Sequence, residues 1–516
     1  MMTRAIQTCR ADFKERSRRR SYLVILLLMT IITLLFFPDV GADYATVMVG
    51  GYRGIYNSAW VGGSLAILCV TFLPIICFVL VKNALETDRN SLACELIGAT
   101  SVSKFDFIFG KWLSNLLLLI GIMAVMTVTS AVVQLWYGES YYIDIVSLLA
   151  PQLILVLPIL ALIAAVSLLF ETLPWLRGGM GNIVYFFLWA VFIVGSIENS
   201  AGVSEVIAQI KAAVMAHDPS VKDSVSIGVS FNQDGSASVI NTFIWQGIEY
   251  RSKMLLEAAG LLLASMVVVL LATVFFDRFR QVSQVATDHR GNVQLIARLM
   301  VVVAPLTRGF EAICKHSTFT RLMRQEYLMM FRGGSPWWYL ILIGLGISQL
   351  AAPLENVRLF IIPMSWLLCV LALSPLGQRE KHQGADPLVF SCPSPMKLQF
   401  PAMLLAGFLL AITVVSPVLL RFILLGEWFS VLMLCSGGLF MTSLALACGA
   451  LTRTSRTFEI VFVMLWYVGP MQHSGLDFVG VYPQVSMAAG APLSFLIASL
   501  VLLAGAWQGR LWQLQR

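Results

Sequence analysis

Of the 516 residues, 58% are hydrophobic and 12% are charged, and the mean hydropathy is +0.82. Soluble domains carry about twice that charged fraction. Long uncharged apolar runs recur along the chain, which excludes an ordinary soluble domain and points to an all-α polytopic membrane protein. The net charge of +7 is what Lys and Arg gathered on inner loops produce, so no nucleic-acid partner is expected.

Residues 1–20 are basic, ending in Arg16, Arg18, Arg19 and Arg20. They form an expected interfacial helix suited to anionic membrane lipids. No small-residue cleavage site follows, so the first apolar run is expected to act as a signal anchor. Span one is expected over 21–37, followed by an external loop at 38–58 and span two at 60–81. A polar inner stretch from Lys82 to Lys111 then separates span two from span three (109–135). The tyrosines of 137–144 suit an outer interface. Span four covers 145–170, a turn around Pro174 follows, and span five covers 183–197.

The longest external insert is 198–253. Ile207, Ile210 and Val214 lie on one face of an expected amphipathic helix at 204–217. Val225, Ile227, Val229 and Phe231 alternate with Ser and Gly, and Asn232-Gln233-Asp234-Gly235 favours a turn. The expectation is a small helix plus hairpin. Span six covers 255–276.

Residues 277–335 are a basic inner linker ending in a second amphipathic helix near 320–331. Spans seven to twelve are expected at 336–350, 359–376, 400–425, 429–451, 457–468 and 491–507. With both ends inside, 28 of the 35 Lys and Arg fall on inner segments and six on outer ones, Arg421 lying near the outer end of span nine. That bias sets the orientation. Arg421 is expected to snorkel or meet Glu427.

The expected architecture is therefore about 12 transmembrane helices in two six-span pseudo-repeats, 21–276 and 336–516. Sliding the chain by 293 residues lays Ser101, Lys104 and Phe107 on Ser394, Lys397 and Phe400, between the second and third spans of each half. Six spans per half give both halves one orientation, related by a two-fold along the membrane normal.

No G-x-x-x-x-G-K-[ST] occurs, since Phe109-Gly110-Lys111 is followed by Trp112, and H-E-x-x-H, G-x-S-x-G and paired-Cys metal spacings are also absent. The five His are scattered, and Cys69, Cys77, Cys369, Cys435 and Cys448 lie in apolar runs where they pack. Span interiors are nearly free of charge, which argues against an ion-coupled carrier.

The stretch 82–111 carries Glu86, Asp88 and Arg89, then Leu92, Glu95 and Leu96, then a Ser/Thr turn and Lys104. This pattern resembles the coupling-helix region of type-2 ABC export permeases. The second-half stretch with Arg379, Lys381, Ser394 and Lys397 resembles it too, with Cys392-Pro393-Ser394-Pro395 similar to that family's turn. The basic lead-in helices and the external excursion between spans five and six are also similar. Two departures stand out: the halves are fused in one chain, and Leu388 stands where Glu95 would have its counterpart.

The resemblance implies a transport subunit without catalysis of its own, exporting a hydrophobic or amphipathic solute; with no organelle signal in the sequence, a bacterial cytoplasmic membrane is the expected location. Two ABC ATPase subunits on separate chains would dock on the loops, bringing the ATP and Mg; no cofactor is expected on this chain. Independently of the resemblance, Leu92, Leu96 and Ile97 on a short helix suit a partner's groove, with charged neighbours setting register; they suit packing on their own bundle as well. The alternatives are a polytopic enzyme acting on a lipid-linked substrate, with Asp234, Glu249 and His217 on the outer side, and an ion-coupled secondary transporter.

Overall fold

The computed structural model describes residues 2–40, 44–90, 102–177, 179–198, 202–219, 221, 225–231, 240–276, 317–332, 336–382, 395–470 and 476–514. The chain divides into two compact units, Met1–Val285 and Ala286–Arg516.

In the first unit, α1 (Met2–Ser17) and α2 (Arg20–Phe36) meet at an extended Arg19, and their axes bend by 72°. A β-hairpin of β1 (Tyr44–Val49) and β2 (Tyr52–Gly54) follows. It turns through Gly50 and Gly51, both at positive φ, as a tight two-residue hairpin turn requires. Helix α3 (Ser58–Val81) starts at Asn57, whose side chain accepts the Trp60 N–H, a standard N-cap. Of its 24 residues, 22 are buried, and its apolar residues cover the whole circumference, as a central helix needs. The short α4 (Ala84–Asn90) and the long α5 (Lys104–Tyr137) come next. Helix α6 (Ile145–Thr172) holds one π turn at Gln152–Val156, between Pro151 and Pro158. The unit continues with α7 (Gly179–Glu198), α8 (Val203–His217), β3 (Val225–Phe231), β4 (Asn241–Phe243) and α9 (Ser252–Phe275).

Helices α1, α2 and α3 all pack on α5; α6 packs on α3, α5 and α9; α7 packs on α3. The α3–α6 approach depends on Gly62, where a Cβ would lie 2.4 Å from the Ser147 carbonyl oxygen.

The second unit comprises α10 (Thr318–Arg332), α11 (Pro336–Ala351), α12 (Leu354–Leu373), α13 (Arg379–His382), α14 (Pro395–Leu425), α15 (Trp428–Thr452), α16 (Ser455–Val468), α17 (Pro483–Ala488) and α18 (Ala491–Leu514). Helices α10, α11, α12 and α15 pack on α14; α15 packs on α18; α16 packs on α12 and α15. In chain order many of these pairings parallel those of the first unit. One polar contact parallels too. Tyr185 of α7 donates to the Pro74 carbonyl in α3 at 2.8 Å, and Trp466 of α16 donates to the Pro363 carbonyl in α12 at 2.9 Å.

Among the described residues, eight helices are long and apolar enough to cross a membrane, and the bent α1–α2 pair would make a ninth. The protein is thus a helical protein with the make-up of a multi-span membrane protein. The remaining expected spans coincide with α2, α7, α11 and α16, of 17, 20, 16 and 14 residues. At 1.5 Å per residue the shortest reaches about 21 Å, less than a hydrocarbon core of about 30 Å.

The insert expected outside, 198–253, departs from the expected hairpin. Strand β3 pairs antiparallel with β1, from Tyr44↔Phe231 to Val49↔Val225, and β4 pairs parallel with β2. The sheet order is β3-β1-β2-β4. The stretch 38–58, expected as an irregular loop, supplies the central strands. A lone two-stranded hairpin is marginal in water, and four strands are not. The turn at 232–235 lies outside the described residues. Helix α8 occupies the expected amphipathic stretch, with Val206, Ile207, Ile210 and Val214 buried.

Arg421 does not meet Glu427. It donates to the Gln349 and Ala352 carbonyls at the end of α11, and Glu427 pairs with Arg358.

Candidate functional site

The stretch after α3 is fastened to three other elements at once. Glu171, buried at the end of α6, accepts the backbone N–H groups of Ala84, Leu85 and Glu86, at 3.1, 2.6 and 3.3 Å. These are the donors at the start of α4 that no turn of its own helix can satisfy, and a carboxylate there also favours the helix dipole. Helix α4 is therefore capped by a residue 85 positions and more away in the chain.

The second fastening is a chain of charges, buried at Lys111, Asp12 and Arg16 and half-buried at Asp88. Lys111, in the second turn of α5, lies 2.7 Å from Asp88 of α4 and 2.6 Å from Asp12 of α1. Asp12 also accepts from Ser114 at 2.6 Å and pairs with Arg16 at 3.3 Å. Arg16 bonds Asn115, which donates to Ser167 of α6 at 3.4 Å. Two acids and two bases thus balance inside one cluster spanning α1, α4 and α5. Burial opposes ionisation of Asp12, but Lys111 and Arg16 outweigh it and hold its carboxyl below the usual range. For Asp88 burial prevails over Lys111 and raises the carboxyl. Close approach of α1 to α5 occurs at Gly110, where a Cβ would sit 2.7 Å from the Ala5 carbonyl oxygen.

The second unit joins its lead-in helix to its loop in a related way. Arg379 of α13 faces Glu326 of α10 at 3.8 Å, a charge pair too long for a hydrogen bond. Glu380 accepts from Arg510 of α18 at 2.9 Å and from Gln399 of α14 at 2.8 Å. Burial raises the Glu326 carboxyl and lowers the Arg379 guanidinium.

The expected docking residues fall into three groups. Glu86, Lys104 and Lys397 are exposed, the last two near the first turns of α5 and α14. Asp88 and Arg379 are held by their own chain in the ion pairs above, so they face inward instead of presenting free charge. Leu92, Glu95, Leu96 and Ser394 lie outside the described residues, as do the side chains of Arg89 and Lys381.

Sequence reasoning missed Asp12, Glu171, Glu326, Glu380 and Arg510 as parts of these clusters, and treated Lys111 only as a loop boundary. A signal was present: Lys111 sits just inside the expected third span, and Glu171 and Arg510 stand within three residues of the ends of the fourth and twelfth, costly positions for an unpaired charge. What sequence lacks is the partner, which comes from α1, α4, α10 or α13.

Among the described residues no group of three or more His, Cys, Asp or Glu is placed to hold a metal ion. Compared with family models, curated proteins and solved structures, the chain matches none.

Proposed function

We propose that this chain is the membrane permease of an ATP-driven exporter, moving a hydrophobic or amphipathic solute. Separate ATPase subunits dock on the 82–111 and 379–397 stretches at the cytoplasmic face. In this reading the chain has twelve spans in two repeats, lies in a bacterial cytoplasmic membrane with both ends inside, and carries no catalysis of its own. The parallel order of helix pairing in the two units supports the repeat.

The observation that carries the reading is the fastening of α4. A loop that only connected two helices would need no buried acid on its backbone and no ion pair through Lys111. Because α4 is tied to α1, α5 and α6 together, a force on exposed Glu86 reaches three elements of the bundle. The bundle would then move as packed parts, since close-packed interiors transmit strain. The second unit ties α10, α13, α14 and α18 together through Glu326, Arg379, Glu380, Gln399 and Arg510.

The test is co-purification of the chain with its ATPase, with and without the double reversal Glu86→Lys and Glu95→Lys. Loss of the ATPase from the variant, with the permease still folded, is the expected result. An ATPase that stays fully bound, with transport unchanged, rules out this docking site. Catalytic turnover by the isolated chain without any ATPase would instead favour a membrane enzyme.

A further inference from the structure

In the second unit one side chain is built into the backbone of a neighbouring helix. Pro417 interrupts α14; it has no N–H for the Thr413 carbonyl, and its ring pushes the turn open. The Thr413 carbonyl is satisfied by the Ser416 hydroxyl at 2.8 Å. At the next rung, where Val418 N–H and Val414 C=O face each other in a regular helix, Gln349 of α11 bonds both. Val418 donates to Gln349 Oε1 at 3.2 Å, and Gln349 Nε2 donates to the Val414 carbonyl, also at 3.2 Å. The amide is spliced between a donor and an acceptor that would bond each other in a regular helix.

The same amide reaches a second irregular helix. Gln349 Nε2 donates to Ser365 Oγ of α12 at 2.9 Å, and Ser365 donates to the Ile361 carbonyl at 2.7 Å. Ile361 ends the π turn Val357–Ile361. Gln349 is fully buried, and its backbone carbonyl accepts from Arg421, one turn beyond Pro417. A buried amide with every group partnered fixes a geometry. Insertion of a side chain into the ladder and a π turn are two recognised causes of helix bending, and π turns recur at functional sites.

We infer that Gln349 is the latch of a paired hinge. With the amide inserted, α14 is bent at Pro417. With it withdrawn, Val418 bonds Val414 directly, α14 straightens, and Ser365 loses the donor that ties it to α11 beside the π turn, so α12 shifts with it. Packed helices have discrete arrangements, and small local shifts become rigid-body ones. The hinge stands independently of the docking role proposed above.

The test is epistasis between Gln349→Leu and Pro417→Ala, read by electron-spin distances. Labels go on the exposed Leu424 of α14 and the exposed Ile343 of α11, in the full chain in detergent or nanodiscs. From Pro417 to Leu424 is a lever of about 10 Å, so losing a bend of about 25° moves Leu424 by about 4 Å. Gln349→Leu, close in volume and without the amide, is expected to shift the distance in the same direction as Pro417→Ala. The double variant is expected to shift no further than either single one. A wild-type distance in Gln349→Leu, or shifts that add in the double variant, would overturn the latch. Should Gln349→Leu fail to fold, two outcomes still decide. Pro417→Ala must shift the distance alone, and Gln349→Leu must regain folding in the Pro417→Ala background; failure of either refutes the hinge.

Discussion

Replacing Lys111 by Met keeps most of the unbranched side chain and removes the charge at the centre of the first cluster. Lys111 is 4% exposed, and its ammonium is within 2.7 Å of both Asp88 and Asp12. Asp12 retains Arg16 and Ser114, so the loss falls chiefly on Asp88. Breaking a buried pair by removing one partner costs about 3–5 kcal/mol. An upper bound comes from protonation: neutralising an ordinary aspartate at pH 7 costs about 4 kcal/mol, at 1.36 kcal/mol per pH unit. Asp88 is already raised by burial, so its escape costs less, and we expect about 3 kcal/mol, roughly a hundredfold in the unfolding equilibrium. The assay is SDS- or urea-induced unfolding of the purified protein in detergent at pH 7. Lys111→Met combined with Asp88→Asn should regain at least half of the loss, because the stranded charge is gone. A single variant that unfolds within about 1 kcal/mol of wild type would show that the cluster is solvated and carries no tension between α1 and α4, against the burial reasoning.

Three further outcomes are expected. Asp12 has a folded-state pKa below the usual 3.8, so its contribution is present above that value and is lost as pH falls through the folded value. Asp12→Asn should therefore destabilise at pH 7, with the gap to wild type closing below pH 3.8, as read from unfolding midpoints at several pH values. Glu171→Ala removes the acceptor for three N–H groups of α4; at about 1–3 kcal/mol per stranded donor, limited trypsin should cut faster after Lys82 or Arg89, and an unchanged rate would refute the cap. Gly62→Val puts a side chain where a Cβ already lies 2.4 Å from the Ser147 backbone oxygen. It should cost at least about 1–3 kcal/mol by overpacking, seen as a fall in thermal stability, and a neutral result would mean that α3 and α6 pack differently.

The helices were largely legible in the sequence because lipid-facing and buried spans share one signal, an uninterrupted apolar run. The amphipathic α8 was legible because its period is carried by Ile207, Ile210 and Val214. Strand partners were not. Val225–Phe231 shows its alternation, but nothing within that stretch says that the mate is Tyr44–Val49 and not the next strand in the chain. The polar loop showed its position and its charges but not their direction. Asp88 and Arg379 look like surface charge until Lys111 and Glu326 are placed beside them. Gln349 was invisible for the same reason: a lone amide in an apolar run means little without Pro417 opposite it.

The central claim, that the Lys82–Lys111 stretch receives a separate motor, is tested most directly by a photo-crosslinker at Glu86, on the exposed side of α4. The crosslinked product is identified by mass spectrometry from cells before and after ATP depletion. The account predicts a protein with a P-loop, in a yield that changes with ATP. Crosslinks only to lipid or to this chain itself, unchanged by ATP, would contradict it.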